Sequence, residues 1–70
     1  MRKCICSVFI EDAIRLNNLC ECVAVLGGHP VEEPMFAGTQ VTVIYAGPNA
    51  ETIVALFSQY GGEHCWISDD

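Results

Sequence analysis

Five cysteines and two histidines are the side chains in this 70-residue chain whose chemistry could be more than structural. Cys4, Cys6, Cys20, Cys22 and Cys65 offer thiolates and His29 and His64 offer imidazoles, both good ligands for zinc or iron. A tetrahedral site needs four such groups converging on one point. The spacing works against convergence. The cysteines fall as two Cys-x-Cys pairs and a His64-Cys65 dipeptide, with no Cys-x-x-Cys knuckle. Two apart on a strand, Cys4 and Cys6 share a face, whereas Cys20 and Cys22, two apart on a helix, point nearly opposite ways. Free cysteine is among the residues most often buried. Cys4, Cys6, Cys20 and Cys65 are therefore expected as small core hydrophobes and Cys22 as the exposed thiol, with no metal and no cofactor.

Nucleophilic catalysis fares no better. A cysteine nucleophile needs a base within hydrogen-bond reach and a group to orient that base. Locally only His64 lies beside Cys65, and neighbours on a strand face opposite sides of the sheet. No catalytic residue is assigned, and the chain is read as a non-enzyme, with His64 on a sheet surface. Gly27-Gly28 and Gly61-Gly62 both follow helical patterns. A phosphate cradle precedes the helix whose N-terminus receives the anion, so these pairs read as helix C-caps.

The remaining chemistry is charge. From Leu16 onward there is no Lys or Arg; Arg2, Lys3 and Arg15 are the only basic residues, against nine Asp and Glu, for a formal net charge of -6. Such a field repels phosphate backbones and anionic membranes and attracts basic surfaces. The carboxylates expected to meet a partner are Glu11, Asp12, Glu21, Glu32, Glu33, Glu51, Asp69 and Asp70. The plainer reading is that acidity serves solubility alone.

The elements that must position these groups follow from periodicity. Seventy residues make one domain, and 51% hydrophobic with 17% charged residues describes a packed globule rather than a disordered segment. Arg2 to Ile10 alternates Cys4, Cys6, Val8 and Ile10 against Ile5, Ser7 and Phe9, the period of a strand. Glu11-Asp12 places acids at the positive end of a helix. Along it Ala13, Leu16, Leu19, Cys20, Val23, Ala24 and Leu26 form one stripe. Pro48-Asn49 starts a second helix, with Asn49 as N-cap and Ala50, Ile53, Val54, Leu56, Phe57 and Tyr60 on one face. Between them Thr39 to Ala46 reads as a strand, and Glu63 to Ser68 as a last one. No apolar run approaches the roughly 20 residues that cross a bilayer. The apolar start runs into Glu11-Asp12 without a cleavage site, and the cysteine count is odd, so reduced thiols in the cytoplasm are expected. The Met1 start and the Asp69-Asp70 end read as a complete small gene product.

If His29 to Phe36 is extended, Ala37-Gly38 turns it into the Thr39 strand, and the order becomes β-α-β-β-α-β. That is a ferredoxin-like α+β plait, two helices on one face of an antiparallel sheet. Pro30, Pro34 and Glu32-Glu33 suit an edge strand. If the segment is a loop, a three-stranded unit remains. The expected core is Leu16, Leu19, Val23, Val41, Val43, Tyr45, Ile53, Phe57 and Ile67. The open sheet face then carries Ile5, Ser7, Phe9, Gln40, Thr42, Ile44, His64, Trp66 and Ser68. RNA-binding plaits also carry aromatics there, but surrounded by Lys and Arg that this chain lacks, so no direct nucleic-acid binding is expected. Phe9, Ile44, His64 and Trp66 on that face suit a protein interface or a homodimer.

In size, acidity and lack of a catalytic set the chain resembles the small acidic inhibitors encoded by phages and mobile elements, including anti-CRISPR and anti-restriction proteins. The resemblance rests on no shared motif. It implies a non-enzymatic inhibitor whose carboxylates take the place of phosphates on the basic nucleic-acid-binding surface of a larger complex. The alternative is a ferredoxin-like regulatory module binding a metabolite or metal, or a dimerisation module.

Overall fold

The computed structural model describes residues 1–62 and 64–69. Its elements are β1 (Arg2–Ile10), α1 (Ala13–Val25), β2 (Val31–Met35), β3 (Gly38–Ala46), α2 (Ala50–Gln59) and β4 (His64–Asp69). The sheet order is β2-β3-β1-β4, with every neighbouring pair antiparallel. The protein is therefore the ferredoxin-like α+β plait, and the His29–Phe36 segment is extended over Val31–Met35 as the β2 edge. Two central strands of nine residues each carry two shorter edges. The turn into β3 is Phe36-Ala37, with Ala37 in the left-handed region at φ 69° and Gly38 already paired with Met35.

Alternation on the central strands decides where the core lies. Cys4, Cys6, Val8 and Ile10 of β1 and Val41 and Val43 of β3 are buried with Leu19 and Val23 of α1 and Ala50, Ile53 and Phe57 of α2. Both helices thus cover one face of the sheet. Asp12 caps α1 by accepting the Ile14 N–H at 2.9 Å. Each helix ends on a glycine pair in a Schellman turn: Gly28 N–H donates to the Val23 carbonyl and Gly62 N–H to that of Phe57, both at 2.9 Å. Gly27 at φ 93° and Gly61 at φ 83° occupy the left-handed position, which strains any residue with a Cβ.

Three details depart from the sequence reading. Ile67 lies on the helix side opposite Cys4, but at the edge of the sheet it keeps 36% of its surface exposed and is not core. Leu16 and Tyr45 are half-buried, and Ala13 and Ala24 are exposed. Asn49 starts α2 but makes no side-chain cap. Its ψ of 14° departs from the extended backbone of an ordinary N-cap, and its Nδ2 donates instead to the Leu26 carbonyl at 3.0 Å, tying the end of α1 to the start of α2.

Phe57 is fully buried in this core. Phe57→Ala is expected to cost roughly 3–5 kcal/mol, enough to unfold most of so small a domain. A cooperative thermal transition near the wild-type midpoint would contradict the assignment.

Candidate functional site

The acidic residues do not form one uniform surface. Arg2 sits at the start of β1 opposite Asp69 of β4, near the first turn of α2. Its Nη1 bonds the Glu51 carboxylate, and its Nε lies 3.9 Å from Asp69 Oδ1. These exposed pairs contribute about 0–1 kcal/mol of stability, but they turn Glu51 and Asp69 inward toward a cation. Arg15 lies 5.1 Å from the centre of the Tyr60 ring. Asp12 is engaged as the α1 cap.

Glu11, Glu21, Glu32 and Glu33 are exposed, and none makes an ion pair with another described residue. Glu32 pairs with Val41 and therefore points to the helix side, beside Cys20. Glu33 pairs with Gln40 and points to the open face. Consecutive strand residues alternate, so Glu32 and Glu33 act on opposite sides of the molecule rather than as a pair. Asp70 and Glu63 lie outside the described residues. The carboxylates left to a partner on the helix side are thus Glu11 at the α1 start, Glu21 and Glu32, Asp12 being held as the α1 cap.

Sequence reasoning did not anticipate the groove between α1 and α2. It has a volume of about 500 Å³ and is lined by apolar Val25, Leu26, Ala55 and Leu56, with Glu21 and Cys22 beside them. Val25 is 86% exposed. It lies off the core stripe of α1, and that offset was the only signal for it in the sequence.

The thiols sort largely as expected. Cys4 and Cys6 are fully buried, Cys20 and Cys65 are half-buried and Cys22 is exposed. Cys6 stands opposite Cys65 across the β1–β4 pair, and Cys4, two residues along β1, faces the same side of the sheet. This trio was not read from the sequence, since it needs the β1–β4 register. Burial pushes the Cys6 thiol far above its ordinary range, reinforced by Cys65 and Cys4, and burial likewise raises Cys4. Cys20 is raised by burial and then by the Glu32 carboxylate. Raised thiols stay protonated at neutral pH and make poor nucleophiles and ligands. Among the described residues no three His, Cys, Asp or Glu side chains are placed to hold a metal ion. His64 pairs with Ser7 and Cys65 with Cys6, so the two face opposite sides of the sheet.

The open face is built as its alternation implied. Cross-strand rows join Ile44, Ile5 and Trp66, then Thr42, Ser7 and His64, then Gln40 and Phe9. β2 extends them with Val31, Glu33 and Met35. Ile44 is 64% and Trp66 54% exposed. At the centre Gln40 Nε2 donates to Ser7 Oγ, which lies 3.4 Å from Thr42 Oγ1.

Among the described residues no helix is long and apolar enough to cross a membrane. No protein-family model matches the chain, and no curated protein is similar to it in sequence.

Raised thiol pKa values carry a stability signature. The folded protein holds Cys4 and Cys6 neutral, while the unfolded chain ionises its thiols above about pH 8.5. That contribution is fully present below this pH and is lost progressively above it. Urea unfolding at pH 7 and pH 10 should show a decline that is shallower in Cys6→Ala than in the parent. Equal declines would remove Cys6 as the cause.

Proposed function

We propose that this protein is a non-enzymatic acidic inhibitor that occupies the basic nucleic-acid-binding surface of a larger complex. The observation that supports the reading is the distribution of cations. Arg2 is drawn to Glu51 and Asp69, and Arg15 lies over Tyr60. Glu11, Glu21 and Glu32 on the helical side are left without a cation among the described residues. Phosphates recur at about 3.4 Å along a strand of DNA, and carboxylates spread over a rigid helical layer can meet the same Lys and Arg. Complementary charge then accelerates association and selects the partner, while a few buried contacts set the lifetime. The apolar groove between α1 and α2, with Glu21 beside it, supplies a place for such contacts. The anti-CRISPR-like form of this activity, blocking DNA entry to a cytoplasmic effector, is its most concrete version.

The test is capture from a host lysate on immobilised protein, followed by identification of the bound complex and competition with duplex DNA. A nucleic-acid-processing complex should be retained, displaced by DNA and released as salt rises, because exposed charges are screened over about 8 Å at physiological ionic strength. Glu32→Lys should weaken binding by about tenfold or more, as expected for a helix-side charge reversal costing about 1.4 kcal/mol. Glu33→Lys, on the other face, should change it little. Retention that DNA does not compete, or that both variants leave untouched, would rule the reading out.

A further inference from the structure

The helical side carries most of the charge; the open sheet face carries very little. Its centre is Ile5, Ser7, Thr42, Ile44, His64 and Trp66, without a carboxylate, and its only described acid is Glu33 on the β2 edge. We propose that this face is a homodimer interface, formed by two copies packing sheet against sheet with their helices outward.

Three observations carry the proposal. The first is charge. At a net charge of -6 two copies repel through most orientations. Sheet-to-sheet contact places the Glu11, Glu21 and Glu51 layers of the two copies on opposite outer surfaces. Packed sheets stand about 10 Å apart, and a helical layer beyond each one takes those carboxylates past the Debye length of about 8 Å. A basic partner, by contrast, has little on this face to attract it.

The second is the polar centre. Covering a hydroxyl or amide costs roughly 1–3 kcal/mol when it is left unsatisfied. Here Gln40, Ser7 and Thr42 already hydrogen-bond one another across β3 and β1. The two hydroxyls and one Gln40 N–H thus keep partners when the face is covered, and the second copy has to meet Gln40 Oε1 and the His64 ring. Around that centre Val31, Met35, Ile44 and Trp66 are each at least half exposed.

The third is area. Strands of 9, 5, 9 and 6 residues at about 3.3 Å rise and 4.8 Å spacing cover roughly 450 Å² in projection. That footprint is of the same order as the roughly 800 Å² of accessible surface that each partner buries in a standard interface. Phe9 adds a flat aromatic surface at one end, its ring lying where a Cβ on Gly38 would be.

Sedimentation velocity from 1 to 200 µM with the intrinsic fluorescence of Trp66, the chain's single tryptophan, tests this directly. A concentration-dependent dimer is expected, with Trp66 emission shifting to the red on dilution. Raising salt should strengthen it, since screening relieves repulsion between two anions, the opposite of the response expected for a basic partner. Ile44→Glu should weaken the dimer at least tenfold, while Val25→Glu in the helical groove should leave it intact; circular dichroism of both variants confirms that they fold. A monomer throughout the range, or a dimer untouched by Ile44→Glu, overturns the proposal. Should Ile44→Glu fail to fold, the fluorescence decides alone: Trp66 emission unchanged across the dimer transition also overturns it. None of these outcomes depends on an inhibitory activity.

Discussion

Strand β1 is the constraint on which the rest depends. Lys3 to Ile10 pair with β3 on one side and Arg2 to Ser7 with β4 on the other, so both of its faces belong to the middle of the sheet. One face places Cys4, Cys6, Val8 and Ile10 beneath the helices. The other sets Ile5, Ser7 and Phe9 along the axis of the open face. A one-residue slip in its register would exchange these sets and expose the core. The small side chains at positions 4 and 6 leave room for Phe57 and Ile53, which are buried in the same cluster. A cysteine there acts as a compact hydrophobe, and burial keeps its thiol protonated.

The same strand decides the electrostatics. Arg2, its first residue, draws Glu51 from α2 and Asp69 from β4 to one corner of the molecule. Charge is thereby neutralised where the chain's start and its last described strand meet. It stays unneutralised along α1 and the helix side of β2, where Glu21 and Glu32 lie without a nearby cation among the described residues. An acidic composition becomes a directional field only through such placement, because exposed charges more than a Debye length apart hardly sense one another.

Much of this arrangement was legible in the residues. The period of two in β1 and β3 fixed which side chains share a face, and the glycine pairs marked both helix ends. β2 was legible only through topology: all five of its residues are exposed and one is proline, so no periodicity singles it out. The burial of Ile67 was misjudged because an edge residue is covered on one flank only. α2 starts beside Arg2 and Asp69 and runs alongside β4, but no further strand flanks Ile67 on its outer side. The grouping of Glu32 with Glu33 failed on the alternation that had correctly separated His64 from Cys65. The Cys4–Cys6–Cys65 trio and the Arg2 corner required cross-strand register, which no local pattern encodes.

The division of labour between the two sides also bears on how the two proposed interactions could coexist. A surface that binds a basic partner gains from concentrated negative charge, whereas a surface that meets its own copy is penalised by it. One face cannot serve both well. Keeping carboxylates away from the centre of the open sheet face removes that conflict, because alternation sends consecutive side chains to different sides of the sheet. Glu32 and Glu33 show the geometry at its smallest scale, with adjacent acids reporting to different surfaces. In a sheet-to-sheet pair the helical layers would stand on opposite outer sides. Each copy would then present Glu11, Glu21 and Glu32 to its own partner molecule, and the two interactions would respond to salt in opposite directions because one unites unlike charges and the other like charges.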